Sequence, residues 1–161
     1  MKKVLIIRST GFQHLDRILS KLREAYPQGE ICLLTHQHGK PLAQKYADIN
    51  HVYVYPYTGA FSFLRVPKEL KGQHFDAVIV PVGNITGAGF LNVLLFSFRV
   101  RTDSRLICNI SLDLIPLTRL ALTASLLRSS VYTAIAGGVT AVTSLLFLLL
   151  WIMSSLPQRK R

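Results

Sequence analysis

The sequence predicts an α/β protein: a doubly wound, Rossmann-like parallel sheet of about five strands, followed by an interfacial helix and one C-terminal transmembrane helix. Two observations predict this fold class. Short apolar runs alternate with amphipathic runs up to about residue 110, and residues 129–158 contain no charged side chain. We therefore assign residues 1–110 to an α/β domain, 111–128 to the interfacial helix, 129–158 to the transmembrane helix and 159–161 to a basic tail.

The first strand and the first helix have the clearest pattern. Lys3 to Ile7 reads KVLII, a short apolar run of the kind that forms a buried parallel strand. A turn-forming RSTG sequence follows, and apolar residues then recur every three or four positions from Phe12 to Tyr26. Polar residues fill the other positions, which predicts an amphipathic helix that ends before Pro27.

The same unit of strand and helix repeats along the domain. Further strands are predicted at Glu30–Leu34, Val52–Tyr55, Asp76–Val82 and Arg105–Asn109. Further helices are predicted at Lys40–Ala47, around Pro67–Lys71 and at Gly89–Val100. Strands that alternate with helices imply a parallel sheet with right-handed crossovers.

The uncharged segment is long enough to cross a bilayer. The run from Val131 to Leu156 contains 26 residues. As a helix it would extend roughly 39 Å, against the roughly 30 Å of a hydrocarbon core. The alternative is a buried helix of a soluble protein, but such helices rarely lack charge over this length.

The stretch before the uncharged segment is less suited to crossing. It contains Asp113, Pro116 and Arg119, and a charged side chain at the bilayer centre costs at least about 2.5 kcal/mol. An interfacial helix therefore fits residues 111–128 better, with Arg119 and Arg128 reaching lipid phosphates.

The N-terminus predicts on which side of the membrane the domain lies. The apolar run before Arg8 has only four residues, which is too few for a signal-peptide core. We expect a single-pass protein of the inner cell membrane, with the α/β domain in the cytoplasm. Cys32 and Cys108 lie far apart within apolar runs, which is typical of buried thiols in a reducing compartment.

The chain carries a formal net charge of +11. Such an excess is typical of proteins that bind nucleic acid or an anionic membrane surface. Several arginines precede the uncharged segment, and the sequence contains no nucleic-acid-binding motif. We therefore expect the lipid bilayer, and not nucleic acid, to be the partner that this charge attracts.

A candidate ligand site lies at the carboxyl ends of the first and fourth strands. In an open α/β sheet, ligands bind beyond these ends where the strand order reverses. Two loops would meet there, and their candidate substrate-binding residues are Arg8, Ser9, Thr10, Gly11, Gly83, Asn84, Thr86 and Gly87. The second loop matches neither the dinucleotide-binding nor the Walker pattern, so a tight strand-to-helix turn is the alternative.

The histidines offer one candidate for catalysis. His14 lies near the start of the first helix and could act as a general base, although a solvated surface histidine is the alternative. His36 and His38 are two residues apart, but no third ligand follows at metal-site spacing. We therefore expect neither a metal nor a cofactor.

Four segments, in order and spacing, resemble the N-terminal half of glycosyltransferase family nine, which contains the ADP-heptose lipopolysaccharide heptosyltransferases. The segments are KKVLIIRST, KLREAYPQGEICLLT, YADINHVYVY and HFDAVIVPVGNITGAGFLN. The resemblance covers Lys2 to Asn109. It implies a Rossmann-like domain that receives the acceptor in cell-envelope polysaccharide or lipopolysaccharide assembly.

Two departures from the family affect the expected activity. The family's first loop carries a catalytic aspartate, whereas here His14 or Gly11 occupies the matching place. A membrane helix stands where the family has its nucleotide-sugar domain. The resemblance thus implies a glycosyltransferase-like protein that is inactive without a partner, such as another glycosyltransferase or an envelope-assembly protein. The alternative is a non-catalytic membrane scaffold with a degenerate glycosyltransferase fold.

Overall fold

The computed structural model describes residues 2–85, 87 and 89–155. The predicted site residue Thr86 and the predicted basic tail at 159–161 lie outside these residues. The chain divides into two compact units, with the boundary between Leu117 and Thr118.

The first unit contains six strands and three helices in its described residues. In chain order these are β1 (Lys3–Ile7), α1 (Phe12–Ala25), β2 (Glu30–His36), α2 (Lys40–Ala43), β3 (His51–Tyr55), β4 (His74–Pro81), α3 (Leu91–Ser97), β5 (Arg101–Cys108) and β6 (Leu114–Pro116). Single 3₁₀ turns lie at Gln37–Gly39 and Lys68–Leu70.

The strands form one mixed sheet in the order β3-β2-β1-β4-β5-β6. The first five strands pair in parallel, and β6 pairs with β5 antiparallel. Leu5 of β1 is in register with Cys32 of β2 on one side and with Val78 of β4 on the other. The α/β class, a mostly parallel sheet and the pairing of the first and fourth strands are therefore confirmed, whereas the predicted all-parallel sheet of about five strands is a mixed sheet of six.

The sequence pattern of β1 follows from its central position. Four of its five residues are fully buried, because a central parallel strand is covered on both faces. Alternate side chains point to opposite faces. On one face, the apolar residues of α1 pack with those of the sheet in a single core: Leu15, Ile18, Leu19, Leu22, Val4, Ile6, Ile31, Leu33, Ala77 and Ile79. The opposite face carries an aromatic cluster of Tyr55, Phe61 and Phe96.

Several elements are shorter or longer than predicted. The predicted helix around Pro67–Lys71 is a single 3₁₀ turn, and the predicted helix Gly89–Val100 spans only Leu91–Ser97. Helix α2 ends at Ala43, where the sequence predicts Ala47. Strand β5 begins at Arg101, because its polar first half pairs with the start of β4 and is largely exposed.

The region from 111 to 128 differs most from its prediction as one interfacial helix. Asn109 and Asp113 form a turn, in which the Asp113 backbone N–H donates to Asn109 Oδ1 at 2.9 Å and Asn109 Nδ2 donates to Asp113 Oδ2 at 3.0 Å. The chain then returns as β6, in which Leu114 is in register with Cys108. Asp113 and Pro116, which interrupt the apolar pattern, therefore belong to a turn and to an edge strand that tolerates proline.

The second unit contains one long helix, α4, at Arg119–Ser155. It includes both the end of the predicted interfacial segment and the uncharged segment as far as Ser155, so these do not form two separate helices. In the described part of the chain, this is the one helix long and apolar enough to span a membrane. The span is Ala134–Ile152, 19 residues with a mean hydropathy of 2.2 and none of them buried.

Candidate functional site

The loops that follow β1 and β4 meet at the carboxyl edge of the sheet. The Ser9 hydroxyl, directly after β1, donates a hydrogen bond to the backbone carbonyl of Pro81 at the end of β4. This contact follows from the parallel pairing of the two strands, in which Ile6 is in register with Ile79. The structure thus brings together the starts of the two loops that the sequence proposes as a ligand site.

The loop after β4 is held by its own asparagine. Asn84 Oδ1 accepts a hydrogen bond of 2.6 Å from the Gly87 backbone N–H. Gly87 and Gly89 have φ angles of +76° and +83°, which favour glycine over residues with a Cβ atom. Helix α3, which follows, has only seven residues. The described residues of this loop thus include a turn, closed by Asn84, between β4 and α3.

The loop after β1 contains a half-buried arginine with several partners. Arg8 Nε donates a 2.7 Å hydrogen bond to the hydroxyl of Thr35, and Arg8 Nη1 donates to the backbone carbonyl of Thr10 at 3.2 Å. The guanidinium lies over the Phe12 ring, 4.7 Å from its centroid. On Gly39, a Cβ atom would lie 2.4 Å from Thr35 Oγ1 and 3.1 Å from Arg8 Nη2. The close packing around Arg8 thus requires glycine at position 39.

Arg8 has no carboxylate partner among the described residues. The ion pairs found there all lie elsewhere: Lys3–Glu30, Arg23–Asp48 and His74–Asp103. Burial lowers the pKa of Arg8, with no contribution from a carboxylate. A guanidinium nevertheless stays protonated in proteins, so Arg8 places an uncompensated positive charge at this edge.

Two histidines, His36 at the end of β2 and His38 just after it, extend the basic cluster. His38 Nε2 lies 3.3 Å from Arg8 Nη2, and the rings of His36 and His38 stack with their centroids 5.7 Å apart. His36 Nε2 lies 2.8 Å from the Gly59 carbonyl, which makes this nitrogen the donor. Burial lowers the pKa of His36, and the nearby His38 and Arg8 lower it further. No three His, Cys, Asp or Glu residues within the described ranges are grouped as a metal site requires.

The candidate base, His14, is half-buried at the start of α1 and not fully solvated. Its Nε2 atom is buried and has no hydrogen-bond partner among residues with described positions, and the same is true of Thr10 Oγ1. Burial lowers the pKa of His14, and the charge of Arg17 adds to this effect. The imidazole is therefore kept neutral near pH 7, which is the form that a general base needs.

Among the described residues, no carboxylate bonds to His14. The closest acidic residue in sequence, Asp16, accepts a hydrogen bond from Tyr46 and raises the pKa of that phenol to about 12. Loop residues 8–14 and 83–90 contain no aspartate or glutamate. The site can therefore bind polar or anionic groups, but its two loops contribute no carboxylate for acid–base chemistry.

The sequence reasoning missed part of this site. Thr35, His36, His38 and Gly39 join Arg8 at the carboxyl edge, although the sequence points only to the loops after the first and fourth strands. The available signal was their position: the THQHGK segment begins at the end of the second strand, and parallel strands end at one edge.

Comparison with known proteins found no similar sequence or structure. No protein-family model matches the chain, and neither the curated proteins nor the solved structures contain a significant match. The fold and the geometry of the site are therefore the observations that bear on what the chain does.

Proposed function

We propose that this chain is a single-pass protein of the inner cell membrane whose cytoplasmic domain is Rossmann-like and resembles the acceptor half of a glycosyltransferase. In this proposal it serves in cell-envelope polysaccharide or lipopolysaccharide assembly. It holds a polar or phosphorylated acceptor at the carboxyl edge of its sheet and transfers no sugar by itself. A separate protein supplies the nucleotide-sugar site.

The strand order supports the Rossmann-like part of the proposal. The chain proceeds from β1 through β2 to β3 on one side and then returns to place β4 against the other side of β1. Ligands of doubly wound folds bind at such a reversal. The observation that carries the proposal is the contact across this reversal, in which Ser9 bonds to the end of β4.

The chemistry of the loops supports binding without independent transfer. Arg8 offers N–H groups that suit phosphate oxygens, and the Thr10 hydroxyl has no partner among the described residues. The Ser9 hydroxyl, whose hydrogen goes to the Pro81 carbonyl, can accept a hydrogen bond from a sugar hydroxyl. His14 is the one candidate base, and no carboxylate in the two loops assists it. A positioned base contributes about 10²–10⁴-fold to a rate, whereas a donor site supplies the reactant itself.

The test is a transfer assay with the full chain in nanodiscs, using a nucleotide-sugar donor and extracted envelope lipids as acceptors. We expect no transfer by the chain alone. Transfer should begin when a partner recovered from the native membrane is added, and Ser9→Ala should reduce it. Transfer by the isolated chain that is abolished in His14→Ala would contradict the proposal and make His14 the base.

A non-catalytic scaffold is the second candidate, favoured by the hydrogen bond from the Gly87 N–H to Asn84 Oδ1, which closes a turn in the second loop. The glycosyltransferase-like protein would bind an acceptor in the crevice, whereas a scaffold would bind no ligand there. A scaffold would retain its partner and its cellular role after Ser9→Ala and Arg8→Gln, because neither residue would contact a ligand. Loss of acceptor binding in these variants, with partner binding intact, would exclude the scaffold.

A further inference from the structure

We infer that Arg8, His36 and His38 form a binding site for a phosphate group at the carboxyl ends of β1 and β2. The inference rests on the proposed function in one respect, since Arg8 also belongs to the proposed crevice. It goes further by naming the chemistry of the ligand and by placing its charged group on the β2 side of the crevice.

The pairing of β1 with β2 brings these residues together. Ile7 is in register with Leu34, and the Arg8 backbone N–H donates to the Leu34 carbonyl at 2.9 Å. The residues that follow both strands therefore leave the sheet at the same level. His38 consequently lies within hydrogen-bond distance of Arg8, and His36 stacks on His38.

The charge of the cluster indicates an anionic ligand. A half-buried guanidinium without a carboxylate costs free energy that a bound anion would recover. The cluster contains two further basic side chains, and no carboxylate contributes to the pKa of either Arg8 or His36. Arg8 carries the charge, and because its N–H makes His38 Nε2 the acceptor, the Nδ1–H of His38 remains to donate to a further phosphate oxygen. The same arrangement disfavours a metal ion, because the guanidinium next to His38 would repel it.

The guanidinium is held in place before any ligand arrives. The buried hydroxyl of Thr35 fixes Nε, the Thr10 carbonyl fixes Nη1, and the Phe12 ring covers one face. Three of the five N–H groups of Arg8 are engaged by Thr35, Thr10 and His38. Two remain, which matches the paired N–H groups that hold two phosphate oxygens. Little side-chain entropy is then lost on binding.

The phosphate could belong to a soluble ligand or to a lipid headgroup, and both share this chemistry. The test measures binding of inorganic pyrophosphate by calorimetry to the full chain in phosphatidylcholine nanodiscs, at constant ionic strength. His38→Ala is the main variant, because His38 is exposed and its loss should not affect folding. Lys71→Ala is the matched control, since exposed Lys71 precedes β4 at the amino edge of the sheet.

We expect saturable binding of pyrophosphate. His38→Ala should raise the Kd about tenfold, which corresponds to about 1.4 kcal/mol of binding free energy. Lys71→Ala should bind as the unaltered chain does. In nanodiscs that contain phosphatidic acid, weaker pyrophosphate binding would identify the lipid headgroup as the source of the phosphate. Unchanged binding would identify a soluble ligand.

Two results would overturn the inference: no saturable binding by the unaltered chain, or an equal loss in His38→Ala and Lys71→Ala. The second result would mean that binding follows net charge alone. The pyrophosphate-binding assay and the transfer assay can fail independently of each other. Pyrophosphate binding without partner-dependent transfer would refute only the proposed function, and transfer without pyrophosphate binding would refute only this inference.

Discussion

The Arg8 guanidinium and the Thr35 hydroxyl form a 2.7 Å hydrogen bond that joins the carboxyl ends of β1 and β2. Thr35 is fully buried, and its hydroxyl is the acceptor that fixes Nε of the arginine. This single contact links the stability of the sheet edge to the position of the charge that we propose binds phosphate.

Replacing Thr35 with valine should destabilise the α/β unit by about 1–3 kcal/mol, because a half-buried N–H group then loses its acceptor. The measurement is urea unfolding of the full chain in detergent micelles, followed by maleimide labelling of buried Cys32. Thr102→Val is the control, since Thr102 lies on the exposed part of β5 and its hydroxyl donates to the nearby Ser104 carbonyl. Equal stability of the two variants would show that the Arg8–Thr35 bond contributes nothing measurable.

Gly39→Ala should also destabilise the unit. The added Cβ atom would lie 2.4 Å from Thr35 Oγ1, so either the hydroxyl or the turn must move. Overpacking of this kind typically costs about 1–3 kcal/mol. Gly11→Ala is the matched control, because its φ is −64° and no atom lies within 4 Å of the new Cβ. That variant should be close to neutral, because the gain from restricting the unfolded chain is opposed by the preference for glycine over alanine at the N-cap of α1. A neutral Gly39→Ala would contradict the close packing of Arg8.

Stability should fall as the pH is lowered below about 6.5, the ordinary pKa of histidine. Burial lowers the pKa of both His14 and His36 in the folded state. Between those lowered values and about 6.5 the unfolded chain binds more protons, so acidification favours unfolding. The check is urea unfolding at pH 7.5, 6.5 and 5.5, a range above the titration of most carboxylates. His14→Gln should show a smaller decrease. A stability that rises toward pH 5.5 would contradict the sign of both pKa shifts.

The two cysteines should resist modification in the folded protein. Both are fully buried, and burial raises the pKa of Cys32 to about 12, with Glu30 adding to the effect. Because the thiolate is the reactive form, maleimide should label neither residue at neutral pH until the chain unfolds. Mass spectrometry before and after urea treatment measures this directly. Rapid labelling of Cys32 without denaturant would mean that β2 is not buried as described.

The sequence predicts the central part of the fold well, for physical reasons. KVLII and DAVIVPV are runs that only strands covered on both faces would carry, and α1 has a regular apolar face. The sequence did not predict the elements whose conformation depends on tertiary contacts. Residues 114–116 have no strand signal of their own, and they become β6 because the Asn109–Asp113 turn returns them to β5.

In the candidate site, too, some contacts could be predicted from the sequence and others could not. Parallel pairing of the first and fourth strands predicts that Ser9 lies near the end of β4, and the structure has that contact. The role of Thr35 and Gly39 could not be predicted, because it depends on where the Arg8 side chain turns after leaving β1. Side-chain direction at a strand end is set by the packing of neighbouring loops, which sequence periodicity does not encode.

Membrane insertion through Ala134–Ile152 is the central claim, and alkaline carbonate extraction of membranes that contain the full chain tests it most directly. We predict that the chain stays in the membrane pellet. The variant with both Val142→Arg and Leu146→Arg should be extracted, because each arginine near the bilayer centre costs at least about 2.5 kcal/mol. Release of the unaltered chain into the soluble fraction would contradict the account.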